Sequence, residues 1–133
     1  MAEAKVRLRV MGDELDPAYV TRALGIEPSS AWRKGELRAM PGGRVMPGRT
    51  GFWELELDVP ATTPVNEQIA RLLEQVPGDA AVWRALGERF VTDVRIGLFM
   101  IEPNEQIVLE RPVIAGLGER GLEIDLDIYD VAE

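Results

Sequence analysis

Five cations crowd one stretch of this 133-residue chain: Arg33, Lys34, Arg38, Arg44 and Arg49, against a single acid, Glu36. A guanidinium presents a planar fork of donors that suits carboxylate and phosphate. Trp32 adjoins Arg33 and Lys34, and Trp53 stands at the exit of the stretch. Pro41-Gly42-Gly43 can expose backbone N–H groups to an anion. These residue types predict a recess that holds an anion beside an aromatic ring. The competing reading tucks Trp32 into the core and pairs the cations with acids of the same molecule, since charge runs are usually solvated faces. Trp83, at helical spacing, belongs to the core rather than to a ligand platform.

Other chemistry is scarcer. The chain has no cysteine and no histidine. The first absence removes disulfides, thiolate metal sites and cysteine nucleophiles. The second removes the commonest general base and the commonest metal ligand. Ser29 and Ser30 have only Lys34 as a base, without a supporting spacing motif. Carboxylate pairs can run acid–base chemistry, but nothing in the spacing sets a pair at a working separation. Gly116-Leu117-Gly118-Glu119-Arg120-Gly121 spells a dinucleotide fingerprint in the wrong place: a helix precedes it and a strand follows. Glu123, Asp125 and Asp127 share one strand face, where Lys5, Arg7 and Arg9 are expected to neutralise them before any metal does. No catalytic residue, metal or cofactor is assigned, and the chain reads as leaning away from enzymes.

Charge bounds the partners. The formal net charge is −8 and the pI about 4.6. Duplex nucleic acid needs a basic footprint that the whole surface lacks. Acidic membrane surfaces would repel it, and no apolar run approaches transmembrane length. With no apolar leader before the first strand pattern, the expected location is cytoplasmic. Hydrophobic residues at 46% and charged residues at 29% describe a globular chain. Its length fits one α+β domain over residues 1–133.

Elements must position the loop cations. Val6, Leu8 and Val10 alternate with Lys5, Arg7 and Arg9, the period of a half-buried strand. Asp16-Pro17 starts a helix that Gly25 ends. Residues 28–51 keep neither period and form a long basic loop with room for a short hairpin. Trp53, Leu55, Leu57 and Val59 alternate inward as a second strand. Two helices follow, from Thr63-Pro64 and from Asp79, the first with Val65, Ile69, Leu72, Leu73 and Val76 on one face. A third strand spans about Val91 to Ile101, a helix about Glu110 to Arg120, and a last strand carries Leu122, Ile124, Leu126 and Ile128 inward. Setting aside the central helical pair leaves the ferredoxin-like order. The outward charges favour a four-stranded, mostly antiparallel sheet with the basic first strand beside the acidic last one, helices on one face and a helical insertion between strands two and three.

Short pieces along nearly the whole chain resemble a known family. They are Leu15-Asp16-Pro17, Leu24-Gly25-Ile26-Glu27-Pro28-Ser29, Trp32-Arg33-Lys34-Gly35-Glu36, Gly51-Phe52-Trp53-Glu54-Leu55, and Gly118 to Asp125 with Tyr129 beyond. In this order and spacing the chain is similar to the domain-of-unknown-function family DUF4279. The resemblance implies a bacterial source and assigns no activity. The expected function is a non-catalytic interaction module that engages a basic protein partner through the acidic surplus. The alternative is capture of a small phosphate-bearing anion by Trp32, Arg33, Lys34, Arg38, Arg44, Arg49 and Trp53. The sequence leaves the oligomeric state open.

Overall fold

The computed structural model of the chain describes residues 1–131. Strand β1 (Glu3–Gly12) buries Val6, Leu8 and Val10 and turns Lys5, Arg7 and Arg9 to the other face. The Asp16 carboxylate accepts from the Ala18 N–H, Pro17 takes the first turn, and helix α1 (Pro17–Leu24) stops at Gly25 with φ of 70°.

The stretch expected as a loop has more structure than its spacing shows. Ser30–Trp32 forms strand β2, and Leu37–Ala39 (β3) pairs with Val45–Pro47 (β4) as a separate hairpin around a 3-10 turn at Pro41–Gly43. Three-residue strands are too short to display a period. Strand β5 (Gly51–Glu56) leads to helices α2 (Val65–Glu74) and α3 (Ala80–Arg89). Asp79 caps α3 by accepting from the Ala81 N–H. Strand β6 (Val91–Phe99), helix α4 (Arg111–Glu119) and strand β7 (Glu123–Tyr129) complete the chain.

The large sheet runs β2-β5-β1-β6-β7. This corrects the four-stranded ferredoxin-like expectation. The sheet has five strands because β2 adds itself to β5, and it is mixed because β7 lies parallel to β6 rather than beside β1. Both sides of β1 are already taken, by β5 and β6, each antiparallel. Opposite charges face each other only in part of the observed sheet: Arg9 opposes Asp93 and Arg95 opposes Asp125, but Arg7 opposes Arg95 and Asp93 opposes Glu123. Arg95 on β6 registers with Asp125 and bonds Asp127 of β7, while Arg9 reaches across β6 to Asp125. The helix between β6 and β7 supplies the crossover that a parallel pair requires.

One sheet face and the helices share the core. Val6, Leu8, Trp53, Leu55, Val94 and Ile96 pack with Val20, Leu24, Ile69, Leu72, Trp83, Leu86, Val113 and Leu117. Buried Gln68 on α2 donates to the carbonyls of Ala4 and Thr63, tying that helix to the start of β1. The other sheet face is polar and open. No helix among the described residues is long and apolar enough to cross a membrane.

Candidate functional site

Antiparallel register orders the polar sheet face into rows. Trp32, Phe52 and Met11 form one row; Ser30, Glu54, Arg9 and Asp93 form the next; Glu56, Arg7, Arg95 and Asp125 form a third. The β3–β4 arm stands beside the first row. Its base is closed by Gly35 donating to the Gly48 carbonyl and Gly48 donating to that of Glu36.

Between arm and sheet lies an open recess of about 300 Å³. Its floor comes from Arg7, Arg9, Glu54 and Arg95, its aromatic wall from Trp32 and Phe52, and its outer wall from Arg38, Arg49 and Thr50. The Trp32 and Phe52 rings stack with centroids 4.5 Å apart. The Trp32 indole N–H donates to the Thr50 carbonyl at 3.1 Å, which fixes the ring. The Arg38 guanidinium lies 4.3 Å from the Trp32 ring centroid, a cation–π geometry.

Charge in the recess is unevenly neutralised. Arg9 grips Asp93 through two bonds of 2.9 and 2.7 Å and reaches Asp125 at 3.0 Å. Arg7 is 3.4 Å from Glu56 and 3.8 Å from Glu54. Arg95 bonds Asp127. Arg38 and Arg49 have no carboxylate within salt-bridge distance among the described residues. The Arg38 Nε is buried without a hydrogen-bond partner, a state that costs about 1–3 kcal/mol unless something accepts from it. Burial raises the Glu54 carboxyl above its usual range; Arg7 opposes the shift and neighbouring Glu56 adds to it.

The expected site residues therefore divide. Trp32, Arg38 and Arg49 meet in the recess. Arg33 instead pairs with Asp16 at 2.9 Å and Lys34 with Asp13 at 3.1 Å, pinning the base of the arm to the turn after β1. Arg44 sits exposed at the far end of the arm, where it ends the 3-10 turn. Trp53 is corrected outright: it is fully buried, and its indole N–H donates to the Thr21 hydroxyl at 3.1 Å. It lies one residue from Phe52 on the opposite side of β5, so the aromatic wall belongs to Phe52. Arg7, Arg9, Arg95 and Glu54 were missed as site residues, although the alternation of β1 already turned Arg7 and Arg9 outward.

A wider groove of about 390 Å³ lies between α3 and the end of α4. Its Arg120 already donates to the carbonyls of Pro77 and Gly116, so that cation is structural. The glycine motif from Gly116 to Gly121 ends α4, with Gly121 at φ of 66°.

Two substitutions test the construction. A methyl at Gly48 would fall 2.4 Å from Trp32 Cδ1. Gly48→Ala is expected to displace the ring and cost about 1–3 kcal/mol in denaturant unfolding. Arg9→Ala strands Asp93, whose side chain is 9% exposed. The expected loss is about 2 kcal/mol at neutral pH, below the cost for a fully buried pair because Arg9 keeps contact with water. An unchanged urea midpoint would show the pair to be neutral.

The family described as Domain of unknown function (DUF4279) matches residues 2–131. The chain belongs to this family. No curated protein and no solved structure matches it. Within this DUF4279 chain the recess draws on residues from Arg7 to Arg95, so it is assembled from most of the matched length.

Proposed function

We propose that this DUF4279 domain binds a small anion carrying a flat ring, with the ring against Trp32 and Phe52 and the anionic group between Arg38 and Arg49. The observation that carries the reading is Arg38. It is stacked on Trp32, has no carboxylate partner and leaves Nε unsatisfied. An anion between the two free guanidiniums would accept charge-assisted hydrogen bonds, and the ring would pack along the edges of Trp32 and Phe52, since Phe52 and Arg38 already flank the indole faces. The recess size falls at the lower end of small-molecule clefts. A phosphate monoester or an aromatic carboxylate has the required chemistry. The site offers no activated nucleophile, which favours binding over catalysis. The reading in which the acidic surplus recruits a basic protein concerns another surface.

Calorimetric titration with phenyl phosphate, inorganic phosphate and benzyl alcohol tests the reading. Phenyl phosphate is expected to bind at least about tenfold more tightly than either fragment. Equal affinity for inorganic phosphate would remove the ring from the site, and no heat with any of the three would remove the site.

Glu54 sets the pH dependence. Its raised pKa means that the recess loses a negative charge on acidification earlier than an ordinary glutamate would allow. Benzenesulfonate keeps its charge throughout. Its affinity is expected to rise about threefold on acidification, and Glu54→Gln is expected to flatten that rise. Affinity that falls with acidification would contradict this assignment.

A further inference from the structure

Strand β7 ends the large sheet, and its outer side has no strand partner among the described residues. The Tyr129 carbonyl accepts from the Met100 N–H on the β6 side. Backbone groups of successive strand residues point to alternate sides, so Ile124, Leu126 and Ile128 aim their N–H and C=O groups outward. The side chains of these three lie on the core face, yet Leu126 is 51% and Ile128 58% exposed. Next to Leu126 is a cleft of about 100 Å³ with Ile107 and Leu109 on its wall. The opposite face of the strand carries Glu123, Asp125 and Asp127. Glu123 makes no ion pair among the described residues, and the Asp125 side chain stays 48% exposed.

Natural edges are usually kept short, bulged or guarded by lysine or proline. The opposite edge, β2, is three residues long. β7 has seven residues, no proline and no cation. We propose that β7 accepts an added strand from a different protein, an extended segment in which lysine or arginine alternates with aliphatic residues. Its aliphatic row lies beside Leu126 and Ile128, and its cations lie beside Glu123, Asp125 and Asp127. Backbone bonds supply affinity and the acidic row supplies selectivity. A second copy of this chain is the wrong occupant. Antiparallel pairing of β7 with itself sets carboxylates against carboxylates, and like charges directly opposite destabilise a sheet; parallel pairing turns one copy over and sets carboxylates beside Leu126 and Ile128. The net charge of −8 steers a cationic segment toward the surface.

A capped octapeptide alternating lysine with valine is the probe, with a glutamate–valine octapeptide as control, in fluorescence anisotropy at low salt. The lysine peptide is expected to bind saturably and the glutamate peptide not at all. Leu126→Pro removes an outward N–H and no ladder bond, and is expected to weaken binding by about tenfold or more. If that variant unfolds, Glu123→Lys carries the test: it must weaken the lysine peptide and leave the unfolding midpoint in place. Arg38→Ala must leave peptide binding unchanged, which separates this edge from the recess. The proposal is overturned if the lysine peptide fails to saturate at millimolar concentration, if the glutamate peptide binds equally, or if Leu126→Pro folds and binds as before. It is also overturned if the protein self-associates and Leu126→Pro makes it a monomer.

Discussion

Trp53→Ala is expected to lower the unfolding free energy by about 3–5 kcal/mol, with a fall in midpoint temperature of roughly 10–20 °C. Trp53 is the largest fully buried side chain on β5, packed among Val10, Leu55 and the helices. Truncation leaves a cavity where the indole stood and also strands the Thr21 hydroxyl that accepts its N–H. Trp53→Phe keeps most of the ring volume and is expected to cost distinctly less. At a temperature where the alanine variant is folded, its affinity for phenyl phosphate should match that of the parent chain. A large loss of affinity with intact folding would return Trp53 to the ligand site and contradict its burial. Urea unfolding followed by far-ultraviolet circular dichroism, with a parallel titration, separates the two outcomes.

The second large effect belongs to the recess. Arg38→Ala with Arg49→Ala is expected to weaken phenyl phosphate binding by about a hundredfold. Hydrogen bonds to charged groups contribute about 1.5–3 kcal/mol each, and loss of one side chain lets the other compensate in part. Neither arginine is tied into an ion pair among the described residues, and Arg38 sets its contact with Trp32 against an unsatisfied Nε, so the double variant should unfold within about 2 kcal/mol of the parent. Arg33→Ala with Lys34→Ala provides the contrast. Those cations hold Asp16 and Asp13 across the base of the arm and do not line the recess. Their loss is expected to change affinity by less than about threefold, since exposed ion pairs are worth little. Equal effects from the two double variants would mean that general positive charge, rather than the Arg38–Arg49 pair, draws the anion.

Much of this arrangement could be read from single residues. Alternation in β1 placed Arg7 and Arg9 on the polar face before any coordinates. The same alternation in β5 set Trp53 with Leu55 on the core side, which by itself should have excluded Trp53 from a ligand site and pointed to Phe52. The caps at Asp16, Gly25 and Asp79 formed as their residue types dictate, because capping is local. What the sequence could not display depends on distant pairing. Lys34 meets Asp13 and Arg33 meets Asp16 only after the turn following β1 and the base of the arm come together. Arg95 reaches the recess only because β6 pairs with β1, and Asp125 and Asp127 meet Arg9 and Arg95 only because β7 lies beside β6. Charge complementarity does not by itself set the order of strands: β6 carries both Asp93 and Arg95, and its registers place Arg9 against Asp93 but also Arg7 against Arg95.

The central claim is that an anion with a ring docks on Trp32. The three indole N–H groups each have a distinct acceptor: Thr50 for Trp32, Thr21 for Trp53 and Pro77 for Trp83. They should give three resolved indole signals in a nitrogen–proton correlation spectrum. On titration with phenyl phosphate, the Trp32 signal is predicted to move saturably while those of Trp53 and Trp83 stay in place, and the movement should vanish in the Arg38→Ala, Arg49→Ala variant. A Trp32 signal that stays fixed at millimolar ligand, or one that moves as far without the two arginines, would contradict the account.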